Sequence, residues 1–136
     1  MRSFIRAITS SATTASIKQS SRIMSKNSLS TNQELYQGDY LLSNNGNYKA
    51  IFQGDSNFVI YQWAPTWATN TNGSGGNRVV MQGDGNLVIY TSSDKPVWES
   101  KSRKPEDSTV RLTMTDEGQL VVTRDGVQIW SSKVSA

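Results

Sequence analysis

The 136-residue chain contains no cysteine and no histidine. Without cysteine there is no disulfide and no thiolate metal site. Without histidine the commonest general base and the commonest metal ligand are both missing. Ser-His-Asp and Cys-His mechanisms are therefore excluded. No apolar run approaches the roughly 18 residues that a membrane-spanning helix needs, so no transmembrane segment is expected.

The net charge of +3 is distributed unevenly. Residues 1–23 hold Arg2, Arg6, Lys18 and Arg22 and no acid, whereas residues 24–136 carry ten basic and eleven acidic residues. The body of the chain is thus almost neutral and has no basic stripe to collect phosphates, which argues against nucleic acid as a partner. On a helix Phe4, Ile5, Ile8, Ala12 and Ala15 share a face beside Arg2 and Arg6. An amphipathic, Arg- and Ser-rich, acid-poor leader has the look of a mitochondrial transit peptide. The plainer readings are an unstructured tail, or an extension upstream of a start at Met24. We expect a basic, disordered extension over residues 1–27 and one folded domain over 28–136.

Within that domain the turn signals recur. Asn44-Asn-Gly46 and Gly54-Asp-Ser56 punctuate expected strands at 40–43, 48–53 and 57–62, followed by a short one at 65–67. The same order returns with Gly83-Asp-Gly85, and again with Asp116-Glu-Gly118 and the Asp125-Gly126 hairpin signal. Residues 29–35 read as a short capped turn ahead of the first strand. Trp67, Trp98 and Trp130 close the three passes at separations of 31 and 32 residues. Short strands at regular spacing with no helical period predict an all-β fold, and three copies suggest pseudo-threefold symmetry. Each repeat tryptophan is expected to pack near a shared axis. Trp63, outside the repeat, is the better candidate for a surface contact.

Two nonapeptides, Gln53-Gly-Asp-Ser-Asn-Phe-Val-Ile-Tyr61 and Gln82-Gly-Asp-Gly-Asn-Leu-Val-Ile-Tyr90, stand 29 residues apart. Strand side chains alternate with period two. Gln53, Asp55, Asn57, Val59 and Tyr61 therefore share one face, as do Gln82, Asp84, Asn86, Val88 and Tyr90. Phe58, Ile60, Leu87 and Ile89 point to the other side and read as core. Amides, a carboxylate and a phenol supply donors and acceptors in alternation, and Val offers an apolar patch. That chemistry suits the paired hydroxyls and C–H face of a neutral polyol, and with no Lys or Arg in the motif it suits phosphate poorly. An EF-hand reading fails, because its sixth position would be Ile60 or Ile89 and its twelfth Thr66 or Lys95. The plain alternative is that Asp and Asn merely cap the turn. It leaves the repeated Gln and Tyr unexplained.

The pattern Gln-x-Asp-x-Asn-x-Val-x-Tyr resembles that of the bulb-type mannose-binding lectins, first known from monocot plants and also found in fish mucus. The resemblance spans residues 28–136. It implies a β-prism II of three four-stranded antiparallel sheets, each with a sugar cleft, and calcium-independent binding of D-mannose and α-mannosides without a cofactor. High-mannose glycans and glycoproteins would be the partners, and the resemblance also implies a role in innate defence.

By the same resemblance Asp55 and Asn57 would hold the 2-hydroxyl, Gln53 the 3-hydroxyl, Tyr61 the 4-hydroxyl, and Val59 the ring carbons. Asp84, Asn86, Gln82, Tyr90 and Val88 would do so in a second site. In the third copy the five positions fall on Thr115, Glu117, Gln119, Val121 and Thr123, and only Val survives. We expect that site to be weak or dead. The cysteine pair used by many members is also missing.

The family often dimerises by exchanging a C-terminal strand, here Val127–Ser131, so a homodimer or homotetramer is expected. Its members suggest an extracellular or mucus location, although no secretory signal is recognisable. Cytoplasmic or mitochondrial residence is the alternative. A β-prism that binds proteins with little sugar affinity is the competing function. Catalysis is not expected, because Asp55 and Asp84 belong to separate repeats and make no acid/base pair.

Overall fold

The computed structural model describes residues 26–133. The expected basic extension, with its transit-peptide reading and the alternative start at Met24, lies outside the described residues except for Lys26 and Asn27. Those two already join the fold, their carbonyls accepting from Leu42 N at 2.8 Å and Met114 N at 2.7 Å.

Twelve strands make three four-stranded antiparallel sheets, and no helix occurs among the described residues. Three of the strands of each sheet form a consecutive meander. These are β4 (Lys49–Phe52), β5 (Phe58–Tyr61) and β6 (Pro65–Ala68); β7 (Gly76–Met81), β8 (Leu87–Thr91) and β9 (Pro96–Glu99); and β10 (Arg111–Met114), β11 (Leu120–Arg124) and β12 (Val127–Ser131). The fourth strand comes from the N-terminal segment. There β1 (Ser28–Ser30) pairs with β10, β2 (Glu34–Tyr36) with β7, and β3 (Tyr40–Leu42) with β4. This is the all-β, pseudo-threefold arrangement that the repeats predicted and the β-prism II that the resemblance implied.

One expectation is corrected. Residues 29–35 are a strand–turn–strand unit and not a lone capped turn. The turn is real, with Gln33 N donating to Ser30 O at 3.0 Å, but strands flank it on both sides. Three-residue strands are too short to display alternation. What anchors them is Leu29, Leu35 and Leu41, spaced every six residues, each almost wholly buried under its own sheet. Burying a leucine stabilises by about 1.5–3 kcal/mol, enough to hold such short strands in register.

The core is built by equivalent positions of the repeats. Phe52, Met81 and Met114 precede the turns, Phe58, Leu87 and Leu120 follow them, and all six are fully buried. Phe52 and Phe58 meet edge-to-face with centroids 6.4 Å apart. Trp67, Trp98 and Trp130 gather at the axis, every pair edge-to-face at 5.9–6.1 Å. T-shaped aromatic pairs at this spacing are favoured by ring quadrupoles. The packing role expected for the three tryptophans is the one they have. Trp63 stands at the β5–β6 hairpin and is 92% exposed.

Candidate functional site

Each nonapeptide spans a turn and the strand after it. In the first, Gln53 N donates to Asn57 O at 2.9 Å and Ser56 N to Gln53 O at 3.0 Å; in the second, Gln82 N donates to Asn86 O at 3.1 Å and Gly85 N to Gln82 O at 3.0 Å. The turn needs a left-handed residue, which is Ser56 (φ 75°), Gly85 (φ 86°) or Gly118 (φ 87°). A side chain there is strained, and Ser56 is held in place by its Oγ donating to Gly76 O at 2.7 Å.

Four of the five expected residues of site 1 are brought together by a hydrogen-bond relay. Tyr61 OH donates to Gln53 Oε1 at 2.5 Å, Gln53 Nε2 donates to Asp55 Oδ1 at 3.0 Å, and Asn57 N donates to the same oxygen at 3.0 Å. Site 2 repeats it. Tyr90 OH donates to Gln82 Oε1, Gln82 Nε2 to Asp84 Oδ1 at 3.0 Å, and Asn86 N to Asp84 Oδ1 at 3.0 Å. The turn-capping reading of the aspartates is therefore correct for one oxygen only. The second oxygen takes no part in the turn: Oδ2 of Asp55 has no protein partner among the described residues, and Oδ2 of Asp84 accepts from Gln82 Nε2 at 3.2 Å. The bonds from Gln53 and the Asn57 amide hold the Asp55 carboxyl below its ordinary range, so it stays charged. Val59 and Val88 are buried beneath these groups.

The asparagines are oriented by residues that the sequence reading did not single out. Asn57 Oδ1 accepts from Thr69 Oγ1 at 3.2 Å and from Thr71 N at 3.1 Å. Asn86 Oδ1 accepts from Ser100 Oγ at 3.2 Å and from Ser102 N at 3.3 Å. Both hydroxyl pairs are themselves linked at 2.7 Å. With the oxygen committed inward, the amide nitrogen must point out. The signal was present as Thr69-Asn-Thr71 and Ser100-Lys-Ser102, each two residues after a repeat tryptophan.

In site 1 the groups left over are the Nδ2 hydrogens of Asn57, Oδ2 of Asp55, the second Nε2 hydrogen of Gln53 and the lone pairs of the Tyr61 hydroxyl. None of these has a protein partner among the described residues. Donor, acceptor, donor and acceptor thus follow along one strand face. A cavity of about 430 Å³ opens beside them, lined by Tyr48, Lys49, Ile51, Gln53, Tyr61 and Gln62 among others. Lys49 Nζ lies 4.3 Å from the Tyr40 ring centroid, a cation–π contact.

The third copy keeps the turn and loses the relay. Thr115 Oγ1 donates to Gln119 O at 3.1 Å and accepts from Gln119 N at 3.2 Å, so it closes its own turn. Thr123 makes no bond to it. The neighbouring 44–46 turn docks there, with Asn45 N donating to Asp116 Oδ1 at 2.9 Å. The Tyr48 ring lies against Gly118, where an added Cβ would come within 2.6 Å of it.

No family model matches the chain. It is 48% identical over 106 residues to the B-type lectin plumieribetin of Scorpaena plumieri, covering 78% of this chain and 94% of the relative. Among solved structures it is similar to the monomeric monocot mannose-binding lectins of Gastrodia elata, with a TM-score of 0.74 and 31% identity over 82% of this chain and all of that one. It is also similar to the mannose-specific snowdrop (Galanthus nivalis) agglutinin in complex with methyl-α-D-mannoside. There the TM-score is 0.67 and the identity 32%, covering 82% and 99% of the two chains.

Proposed function

The chain belongs to the B-type, or bulb-type mannose-binding, lectin family, and from that premise we propose that it binds terminal α-mannosides of high-mannose glycans without calcium. Gln53, Asp55, Asn57, Val59 and Tyr61 form one site, and Gln82, Asp84, Asn86, Val88 and Tyr90 a second. The observation that carries this reading is the relay from Tyr to Gln to Asp. It fixes three polar side chains against one another and leaves donors and acceptors alternating, the order in which vicinal hydroxyls present themselves. Protein groups do the positioning that a cation does in calcium-dependent sites. Thr115, Glu117, Gln119, Val121 and Thr123 lack the relay and take no part.

A shallow single-sugar site of this kind corresponds to a dissociation constant near millimolar, or about −4 kcal/mol. Useful affinity then comes from several sites on one branched glycan, where avidity adds about 10²–10⁴-fold. A dimer or tetramer made by exchanging β12 is part of the proposal. In the single chain β12 completes its own sheet beside β11, so exchange trades like for like. Light scattering that returns a monomer mass would remove that part. Extracellular action in innate defence, or in mucus, is proposed from the family alone. Mass spectrometry of the mature N-terminus tests it against the mitochondrial reading.

The test of binding is retention on mannose–agarose in EDTA, with elution by free mannoside. Loss of retention in the Asn57→Ala, Asn86→Ala double variant, with folding intact, is expected. Failure of the intact protein to be retained would sink the reading. The competing function, a protein-binding prism, is favoured by Trp63, whose exposed ring stands beside site 1's strand. A pull-down indifferent to excess mannose would support it.

A further inference from the structure

The two sites share a relay but differ in what surrounds the asparagine. Across sheet β3–β6, Val59 pairs with Ala68; across sheet β2–β9, Val88 pairs with Glu99; across the third sheet, Val121 pairs with Ser131. Directly paired residues share a face. The site face therefore carries a methyl group in the first copy and a carboxylate in the second. That carboxylate is engaged, with Asn86 Nδ2 donating to Glu99 Oε1 at 2.8 Å. Asn86 cannot turn away from it, because its own oxygen is committed to Ser100 and Ser102. The partner acceptor is engaged too. Arg103 Nε lies 3.2 Å from Asp84 Oδ2, the oxygen whose counterpart in Asp55 is unpartnered among the described residues. Both groups on which a sugar hydroxyl would close are thus already bonded in site 2 and unbonded in site 1.

We propose that Glu99 and Arg103 are specificity-determining residues that compete with a neutral mannoside for site 2, so that site 1 is the tight site and site 2 the weaker one. The inference rests on the mannoside reading above and adds a ranking to it. A sugar hydroxyl entering site 2 must compete with Glu99 for the Asn86 amide and with Arg103 for the Asp84 carboxylate, whereas in site 1 neither competitor has a counterpart at the paired position. Hydrogen bonds to charged groups are stronger than neutral ones, and a difference of about tenfold in affinity follows. Arg103 is largely exposed, its side chain 72% accessible, so Glu99 contributes the larger share. Glu99 also sits where Ala68 sits, which makes the effect transferable between sites.

Single-site proteins test this by calorimetry or NMR titration with methyl α-mannoside, with tryptophan fluorescence checking the fold. Asn86→Ala leaves site 1, and Asn57→Ala leaves site 2. We expect the site 2 protein to bind about tenfold more weakly. Adding Glu99→Ala to it should recover about tenfold, and adding Ala68→Glu to the site 1 protein should lose about tenfold. Equal affinities in the two single-site proteins, or no tightening with Glu99→Ala, would overturn the ranking while leaving the lectin reading intact. Weakening by Glu99→Ala would show that the carboxylate receives the sugar, and would overturn it as well. No mannoside binding by the wild-type protein would remove both.

Discussion

Trp67 and Trp130, from the first and last repeats, meet edge-to-face at the molecular axis, their centroids 6.0 Å apart and their planes at 69°. Trp98 completes the triangle at 6.1 and 5.9 Å from them. Each ring therefore has two aromatic neighbours and ties three sheets together. Trp98→Ala removes two such pairs and opens a hole at the axis. We expect a loss of about 3 kcal/mol, at the lower end for a large aromatic because the ring is half-buried. Urea unfolding measures it. A loss below about 1 kcal/mol would mean that the triangle is ornamental.

Thr69 serves both the fold and the site, because its hydroxyl accepts from Phe58 N at 3.2 Å and donates to Asn57 Oδ1. Thr69→Val keeps the shape, leaves Phe58 N unsatisfied and leaves Asn57 Oδ1 with Thr71 N alone. A stability loss of about 1–3 kcal/mol is expected, together with weaker mannoside binding at site 1. Thr69→Ser should restore both, since Ser100 does the same work in site 2. A valine variant that binds as tightly as wild type would show that Asn57 needs no support.

Asp55 predicts the acid limit of site 1. Its carboxyl is held below its ordinary 3.8, first by Gln53 and next by the Asn57 amide. A depressed folded value means that the relay's stabilisation is complete above the ordinary carboxylate range. It is lost only as pH falls through the folded value. Site 1 should therefore keep its affinity down to about pH 4 and lose it below that. Titration of the Asn86→Ala protein with mannoside across this range reads the effect. Weakening already at pH 5–6 would contradict it.

Gly118 and Gly46 make a matched pair for backbone strain. Both have positive φ, 87° and 77°, but a Cβ on Gly118 would strike the Tyr48 ring at 2.6 Å while one on Gly46 would meet nothing within 4 Å. Gly46→Ala should cost about 1–2 kcal/mol from the left-handed backbone alone. Gly118→Ala should cost about 1–3 kcal/mol more, as Tyr48 is forced aside. Thermal unfolding of the two variants gives the difference.

Much of this was legible in the chain. The period-two face of the nonapeptides and the core positions Phe58, Ile60, Leu87 and Ile89 rest on local periodicity, the tryptophan axis on the repeat of about thirty residues, and the structure has them as expected. What escaped was short or distant. Strands β1 and β2 are three residues long, too brief for a pattern, and only the six-residue spacing of Leu29, Leu35 and Leu41 betrays them. The hydroxyls that orient Asn57 and Asn86 lie more than ten residues downstream and reach the site only through strand pairing. Glu99 was invisible for the same reason, since its position beside Asn86 exists only once β8 and β9 are in register.

The N-terminal segment visits the sheets in reverse order of the repeats, β1 going to the third, β2 to the second and β3 to the first. On the ribosome this has a cost in time. The sheet containing β3 can assemble from neighbouring segments as they emerge, but β1 must wait for β10. Roughly 80 residues intervene, and synthesis at about 5–20 residues per second leaves that strand unpartnered for some 4–16 seconds. Its apolar Leu29 has no completed sheet to cover it until then. The last sheet to close is thus the one joining the beginning of the domain to its end, and a chaperone that shields residues 28–42 would act during that interval.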